Sequence, residues 1–370
     1  MKIAHVVSTF SPQLGGMGAV CADEASSLVR QGHEVVVFTL LYDSAVDYTE
    51  HDKKFPFKIV RIKPFIKIGD AGFVPQLLWK IGGNFDLVHL HYPFYGGAEW
   101  LWFLKTPLVI TYHMDAQVGG FKLLIQKMYN LIWPDLLFAK AKKIITVDKN
   151  PASSVTDFYK TKRVEIANGV DIHIFKLLTP DFDTLGLADL KDKKIILFVG
   201  NLLPLKRLDV LISALQLLSD KNAVLLVVGE GVMLGQSQHL VKQLGLDSQV
   251  RFVGPCHDLS KLAKFYNLAW CVVVPSDYES FSLVAIEAMA CGKPLILAHL
   301  PDSKNRFSQA IFFDKGSAES LKNALLKTLS LSPEEIRKIT ESGRLKVMKD
   351  FSLETHMNTL NNVYQEITSH

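Results

Sequence analysis

Short runs of β-branched and aliphatic residues recur along the chain, separated by longer stretches with helical spacing, and this alternation constrains the fold more than any other feature. In the first half the runs are KIAHVVS (2–8), EVVVFT (34–39), FKIVRI (57–62), DLVHL (86–90), LVITY (108–112) and KIITV (143–147). The second half repeats the plan with KIILFVG (194–200), VLLVVG (224–229), VRFVG (250–254), WCVVVPS (270–276), PLILA (294–298) and IFFD (311–314). Helical patterns lie between most of them, as at 17–31 and 120–138. Strands that are apolar throughout and alternate with helices predict parallel sheets covered on both faces. With 370 residues the chain has room for about two such domains.

Periodicity lapses near 172–192, where the chain gathers Pro180, Gly186 and several aspartates. The expected division is therefore a first domain over 1–178 and a second over 179–350. FSLETHMNTLNNVYQEI (351–367) reads as one amphipathic helix, placing a separate C-terminal element over 351–370.

Apolar types make up 48% and charged types 21%, too apolar a mixture for disorder. Lys and Arg total 41 against 37 Asp and Glu, a formal net charge of +4. That argues against a dedicated nucleic-acid binder, whose phosphate contacts demand a concentrated basic face. Most of the excess lies in residues 1–175, with 19 basic and 16 acidic side chains. Cys21, Cys256, Cys271 and Cys291 form no C-x-x-C pair, so neither a disulfide framework nor a structural zinc site is expected, and a reducing compartment is. MKIAHVVSTF breaks at Pro12 and Gly15–Gly16 and reads as a first strand rather than a signal peptide. The apolar stretch at 123–139 is interrupted by Lys127, Pro134 and Asp135, short of the roughly 20 apolar residues that span a membrane. These features predict a cytoplasmic protein, with scope for peripheral contact on the cytoplasmic face of a membrane.

In open α/β sheets ligands bind at the carboxyl ends of the strands, so chemistry is sought in the loops that follow strands. The first such loop, SPQLGGMG (11–18), carries glycines at 15, 16 and 18 that would let backbone N–H groups approach an anion at a helix start. A tight turn accounts for them equally well. The spacing is not G-x-G-x-x-G, and Thr39 and Leu40 rather than an acid end the second strand, so a nicotinamide-dinucleotide fingerprint is absent. No G-x-S-x-G or Walker loop is present either.

The most informative segment is PSDYESFSLVAIEAMACGKP (275–294). Glu279 falls on the loop after an apolar strand, and Glu287 on the helix that follows. Ser280 to Leu283 start that helix, where N–H groups are free for an anion, and Gly292 and Pro294 end it. A carboxylate beside a phosphate-accepting helix start would repel the anion, unless it accepts hydrogen bonds from the hydroxyls of a sugar attached to that phosphate. Taken as a lone pair, two solvated glutamates are the plainer account.

With the rest of the chain, this segment resembles the E-x7-E signature of family 4 glycosyltransferases, which have the GT-B architecture of two facing Rossmann-like domains. The resemblance runs through the Gly-Gly loop, FDLVHLHYP (85–93), TYHMD (111–115), IANGVDIHIF (166–175), VGNLLPLKRLDVLISAL (199–215), VVGEG (227–231) and VRFVG (250–254). It implies an α/β fold with the C-terminal helix crossing back to the first domain. It further implies a retaining, metal-independent hexosyltransferase with no cofactor beyond its UDP- or GDP-linked sugar donor. The acceptor would be a glycan or lipid-linked intermediate of cell-envelope or surface polysaccharide synthesis.

Carried over residue by residue, the resemblance gives Glu279 the donor-sugar hydroxyls and Glu287 the ribose hydroxyls. The N–H groups of Phe281, Ser282 and Leu283, with Gly16 and Lys206, would hold the diphosphate. His113 would orient the reacting sugar and, through its surroundings, stabilise positive character at the anomeric carbon. Gly254 and Pro255 would pass near the nucleobase, and His91 and Tyr92 would face the acceptor. The sequence departs from the family at Asn201, where Arg is usual, at Ser282, where Gly is frequent, and in AHLPDSKNRF (298–307), which lacks a Gly-Gly pair. Arg207 is expected to replace the missing cation.

Asp181-Phe182-Asp183 is formally a D-x-D metal motif but falls in the linker, where a polar turn is the better reading. His89 and His91 stand two apart on a strand and face one side, a potential metal pair for which no third ligand is spaced. On the acceptor side, KIVRIKPFIK (58–67) holds four basic residues. The 120–143 stretch combines Phe121, Leu124, Tyr129 and Trp133 with Lys122, Lys127, Lys140, Lys142 and Lys143. Such a surface, with Trp79, Trp100 and Trp102, suits an anionic bilayer or phosphorylated lipid, although core packing explains the aromatics equally well. Two rivals stand beside the transferase: a non-catalytic GT-B subunit that binds a glycan or stabilises a partner, and a GT-B epimerase or phosphorylase.

Overall fold

A computed structural model of the chain describes residues 1–13, 15–69, 71–114, 129, 132–147 and 157–369. The chain divides into two compact units, Met1–Asn168 with Glu354–His370, and Gly169–Leu353. The linear boundary thus falls before the expected 178/179, and the C-terminal segment joins the first unit from Glu354 onward.

The first unit is built on a seven-stranded parallel sheet in the order β3-β2-β1-β6-β7-β8-β9. Its strands are β1 (Lys2–Val6), β2 (Glu34–Leu40), β3 (Lys58–Ile62), β6 (Leu87–Tyr92), β7 (Leu108–Tyr112), β8 (Lys143–Thr146) and β9 (Arg163–Glu165). A small antiparallel hairpin, β4 (Ile66–Ile68) with β5 (Ala71–Phe73), stands apart from it. The six expected strands are all present, and a seventh, β9, is only three residues long, RVE, too short for an apolar run to predict it. Of the helix expected over 120–138, residues 120–128, 130 and 131 lie outside the described residues, and Trp133–Lys140 is helical.

The second unit holds six parallel strands in the order β12-β11-β10-β13-β14-β15. These are β10 (Lys194–Val199), β11 (Ala223–Val228), β12 (Val250–Gly254), β13 (Cys271–Val274), β14 (Leu295–Ala298) and β15 (Ile311–Phe313), at the expected places. The four central strands β10, β11, β13 and β14 are buried almost end to end because helices cover both faces, which is why they read as continuous apolar runs. On one face Leu208, Leu211, Ile212 and Leu215 of the Leu208–Leu218 helix pack with Phe198, Leu225 and Val273. Where β10 and β11 end, the backbones close up: a Cβ on Gly229 would lie 2.0 Å from the Gly200 carbonyl oxygen, so only glycine fits.

In each unit the strand order reverses once, between β1 and β6 in the first and between β10 and β13 in the second. Such switch points open a crevice at the carboxyl ends of the two central strands. The chemistry-bearing residues cluster around these two places.

The Leu353–Thr368 helix buries His356, Met357, Leu360, Val363 and Tyr364, the 3–4 spacing of an amphipathic helix. Its hydrogen bonds from His356 to Glu24, from Tyr364 to His89 and from Asn361 to Gln31 attach it to the first unit, as expected of the C-terminal helix. Cys21, Cys271 and Cys291 are buried free thiols, and Cys256 is half-buried and also free.

Candidate active site

In the second unit two loops meet at the switch point. One follows β10 and carries Asn201 to Arg207; the other follows β13 and carries Asp277 to Ser282. The Asp277 N–H donates to the Leu205 carbonyl at 2.8 Å, and the Lys206 ammonium lies 2.7 Å from Glu279 Oε1. The buried Ser276 hydroxyl donates to the same carboxylate oxygen at 2.6 Å. Glu279 and Lys206 are only partly covered, at 18% and 25% side-chain exposure, so both remain open to a ligand.

Ser282 caps the Leu283–Ala290 helix, its hydroxyl accepting the Ala285 N–H at 3.3 Å. Its φ of −85° and ψ of 103° are ordinary extended values, so the position does not require the glycine frequent in relatives of the motif. The first-turn N–H groups of Leu283 and Val284 have no carbonyl partner within the helix and carry its positive dipole end. The Phe281 ring turns inward against Phe307 and Phe351, with the Arg306 guanidinium 4.9 Å from its centre. Arg306 also donates to the Ser280 carbonyl at 3.0 Å, bracing the loop from the segment 298–307 that lacks the glycine pair.

Glu287 sits one turn into that helix, and the Tyr266 hydroxyl donates to its Oε2 at 2.5 Å. Burial raises the carboxyl to about 7, although the Tyr266 bond pulls the other way. Gly254 closes β12 with φ +78°, and Pro255 after it is exposed.

Arg207 is not the free cation expected. Its guanidinium donates to both carboxylate oxygens of Asp209 and to Asp277 Oδ2 at 2.9 Å, and these two acids hold its charge more firmly than usual. It is a bridge between the two loops, in a left-handed conformation at φ 51°.

In the first unit the Gly16–Arg30 helix begins at Gly16, which is exposed. Gly18 is needed for packing: a Cβ there would lie 2.7 Å from the Thr9 carbonyl oxygen. At the other switch strand, β6 presents His89 and His91 to one face, and the register sets His5 of β1 beside His89. His113 directly follows β7, its N–H donating to the Tyr92 carbonyl at 3.0 Å and its Nε2 lying 3.0 Å from His91 Nδ1. Burial lowers the His113 imidazole to about 4, so it is neutral at pH 7.

The acceptor expectation for His91 and Tyr92 is corrected. His91 is 0% exposed, stacked between His89 and His113, and Tyr92 is 2% exposed, packed against Tyr112 and Phe138. The alternation along β6 sends one side chain into the histidine cluster and the next into the apolar core.

A third group beside the histidine pair does exist, and sequence spacing could not reveal it. His5 arrives from β1 and Glu24 from the Gly16–Arg30 helix, and with His89 and His91 they form a buried cluster. His356 faces two acceptors, Glu24 Oε1 at 3.0 Å and the Ala167 carbonyl at 2.8 Å, so both ring nitrogens donate and the ring is a cation. Burial opposes that charge, but the Glu24 bond outweighs it and raises the pKa. Burial likewise opposes ionisation of Glu24, yet the surrounding imidazoles, chiefly His89 and His356, hold its carboxyl low.

Asp181 belongs to its own turn, accepting from Thr184 and from Lys264 at 3.0 Å, in keeping with a polar linker. Of the four basic residues at 58–67, Arg61 is drawn inward by Asp52 at 2.7 Å, whereas Lys58, Lys63 and Lys67 are exposed. Phe121, Lys122, Leu124 and Lys127 lie outside the described residues, as does Asp115. Sequence reasoning missed Ser276, Tyr266, Arg306, Glu24, His5, His356 and Tyr364. Only for His356 and Tyr364 was there a signal, polar groups on the apolar stripe of the last helix.

Two families match the chain: Glycosyl transferases group 1 over residues 187–346 and Glycosyltransferase Family 4 over residues 14–174. The chain is 31% identical over 321 residues to an uncharacterized glycosyltransferase of Methanocaldococcus jannaschii, covering 80% of each. It is 31% identical over 325 residues to the D-inositol 3-phosphate glycosyltransferase of Jonesia denitrificans, covering 77% of this chain and 75% of that one. Among solved structures, HepE of Anabaena in complex with UDP-glucose matches with a TM-score of 0.80 at 19% identity, over 99% of this chain and 100% of that one. At that identity the likeness speaks for the fold alone.

Proposed function

The chain belongs to the group 1 and family 4 glycosyltransferases and has their GT-B fold, and on that premise we propose that it moves a hexose-type sugar from a nucleoside-diphosphate donor to a glycan or lipid-linked acceptor with retention. The observation that carries this reading is the Lys206–Glu279 pair set beside the Ser282-capped helix start. A carboxylate, a cation and a helix N-terminus together match the three features of a nucleotide sugar: neutral hydroxyl donors on the sugar and two anionic phosphates.

In this reading Glu279 accepts sugar hydroxyls through the oxygen that Lys206 and Ser276 leave open. The N–H groups of Phe281, Ser282 and Leu283 and the Lys206 ammonium bind the diphosphate. As the anomeric bond breaks, charge grows on the leaving phosphate, and a fixed cation and dipole lower that barrier without reorganising. The acceptor hydroxyl attacks from the face the diphosphate leaves, and its proton passes to the departing phosphate oxygen. Lys206 and the helix start supply the positive charge that other architectures take from a metal ion. Glu287 accepts the ribose hydroxyls, and Gly254 and Pro255 border the base. His113, neutral and held by His91, orients the sugar by hydrogen bonding rather than as a fixed charge. Asn201 leaves the phosphates with one cation fewer than is usual in the family, and the non-catalytic rival rests on that residue alone.

A lipid-linked acceptor and peripheral membrane contact are supported by one surface of the first unit. Phe65, Ile66, Ile68, Phe73, Trp102 and Phe103 are exposed, with Phe65, Phe73 and Phe103 joined through Trp100, and the exposed Lys63, Lys67 and Lys105 lie close to them in the chain. Among the described residues no helix is long and apolar enough to cross a membrane.

The test is a thermal-shift and transfer assay against UDP- and GDP-linked sugars, with the anomeric configuration of the product read by NMR. Stabilisation by a nucleotide sugar, and transfer lost in Glu279→Ala, are expected. Failure of every nucleotide sugar to stabilise the chain would remove the reading.

A further inference from the structure

The cluster behind β1 and β6 holds more buried polar atoms than the fold needs. His5, Glu24, His89 and His91 are at most 1% exposed, and among the described residues Glu24 Oε2 has no hydrogen-bond partner. A buried carboxylate oxygen without a donor is costly, and such an orphan calls for an explanation. This one points at three imidazole nitrogens: His89 Nδ1 at 3.4 Å, His91 Nε2 at 3.6 Å and His5 Nδ1 at 3.8 Å. His5 Nδ1 and His91 Nε2 are themselves 3.0 Å apart.

Four of the six donor separations, at 3.0–3.8 Å, resemble the edges of a metal coordination polyhedron, and all four atoms lie within 4.8 Å of one another, so the donors draw together around an ion. Ligands about 2.0–2.1 Å from a tetrahedral ion stand about 3.3 Å from one another. We infer that His5 Nδ1, His91 Nε2, Glu24 Oε2 and His89 Nδ1 bind one divalent transition-metal ion within the first unit. Three imidazoles and one carboxylate are a donor set suited to zinc and its neighbours and not to magnesium or calcium.

Three of the four ligands have outer partners in place, while His5 Nε2 has none among the described residues. His356 fixes the other oxygen of Glu24, Thr111 meets His89 Nε2 at 2.7 Å, and His113 meets His91 Nδ1 at 3.0 Å. Partners of this kind set the tautomer and aim of metal ligands. With the proton of His5 on Nε2 and that of His91 on Nδ1, both ligating nitrogens present lone pairs. His91 then donates to His113 Nε2, which leaves the His113 proton on Nδ1. Tyr364 competes: its hydroxyl donates to His89 Nδ1 at 2.5 Å, and must turn away for His89 to complete the set. The ligands belong to the first unit and Lys206 and Glu279 to the second, and the link between the ion and the proposed reaction is the His91–His113 bond.

The test needs no enzyme activity. The full chain is produced in zinc-supplemented medium, desalted, and its metal measured by elemental analysis; a cobalt-loaded sample gives the visible spectrum. The expected result is one zinc per chain, resistant to brief chelation, and an intense tetrahedral cobalt band. Glu24→Gln and His5→Gln lose that zinc, whereas a variant of the exposed histidines (His239→Ala with His257→Ala) keeps it. Where a cluster variant fails to fold, the wild-type cobalt spectrum decides alone. Wild-type protein with no stoichiometric zinc, an octahedral cobalt spectrum, or zinc retained in folded Glu24→Gln would each overturn the assignment. Nucleoside-diphosphate binding at Lys206 rests on none of these residues, so the two readings fail separately.

Discussion

Lys206 and Glu279 lie 73 residues apart and meet at 2.7 Å, a cation and an anion on the two loops that flank one switch point. In the unliganded chain each neutralises the other, and a bound nucleotide sugar must divide them, phosphate to the lysine and hydroxyls to the carboxylate. Lys206→Ala is expected to lower transfer by roughly 10²–10³, the cost of losing one preorganised charge at a developing anion. Glu279→Ala should behave differently: transfer is lost, while the free nucleoside diphosphate, which lacks the sugar, binds at least as tightly because Lys206 is released. Titration calorimetry with the diphosphate separates the two, and equal weakening in both variants would contradict the division of roles.

Arg207 separates backbone strain from charge. At φ 51° a side chain costs about 1 kcal/mol that glycine does not. Arg207→Gly and Arg207→Ala both lose the ion pairs to Asp209 and Asp277, so glycine should be the more stable of the two by about 0.5–1 kcal/mol in urea melts. Because the guanidinium is already committed to two carboxylates, donor affinity should change only a few-fold in either. A tenfold or greater loss in both would restore it as a phosphate clamp.

Ser282 makes a narrower claim. As the N-cap of the Leu283–Ala290 helix, Ser282→Ala should cost about 1 kcal/mol and Ser282→Gly only a few tenths. Thermal melts in that order would show that serine replaces the glycine of related turns without strain, and the glycine variant should keep its donor affinity.

The sheets and their motif loops were legible because a parallel strand covered on both faces must be apolar along its length, and because Glu279, Lys206 and Ser282 follow strands directly in sequence. The partners were not. Tyr266 and Arg306 reach the motif from 21 and 26 residues away, and Ser276, three residues before Glu279, is not marked as its partner by residue type alone. The histidine cluster shows the limit most clearly: His89-x-His91 is visible as a pair, but His5 and Glu24 reach it through sheet register and helix packing, across 84 and 65 residues of chain. For Arg207, the pairing with Asp209 is local but that with Asp277, 70 residues away, shows only in the fold.

The exposed aromatics of the first unit carry a prediction of their own. If Phe65 and Trp102 enter a bilayer, Phe65→Ser with Trp102→Ser should reduce co-sedimentation with phosphatidylglycerol-containing vesicles by at least roughly tenfold. Lys63→Gln with Lys67→Gln should weaken binding by about 1 kcal/mol per charge and flatten its salt dependence. Neutral phosphatidylcholine vesicles supply the contrast. Equal binding to both vesicle types, unchanged in either variant, would leave the patch without this role.

Glu287 makes folding and donor binding depend on pH in opposite directions. Its carboxyl, raised by burial to about 7 from an ordinary value of 4.5, is protonated in the folded chain where the unfolded chain has already lost the proton. The folded state therefore binds more protons between those values, and stability falls as pH rises. Its contribution is complete below about 4.5 and gone above about 7, at most about 3 kcal/mol for a shift of that size. Ribose hydroxyls, in contrast, donate best to the carboxylate, so affinity for an intact nucleotide sugar should increase through pH 7 and then level off. The intact donor is the right probe because its diphosphate has no proton to lose in that range. Glu287→Gln removes the titration, and both profiles should flatten together. A variant that kept the wild-type slope in donor binding would place the ribose contact elsewhere.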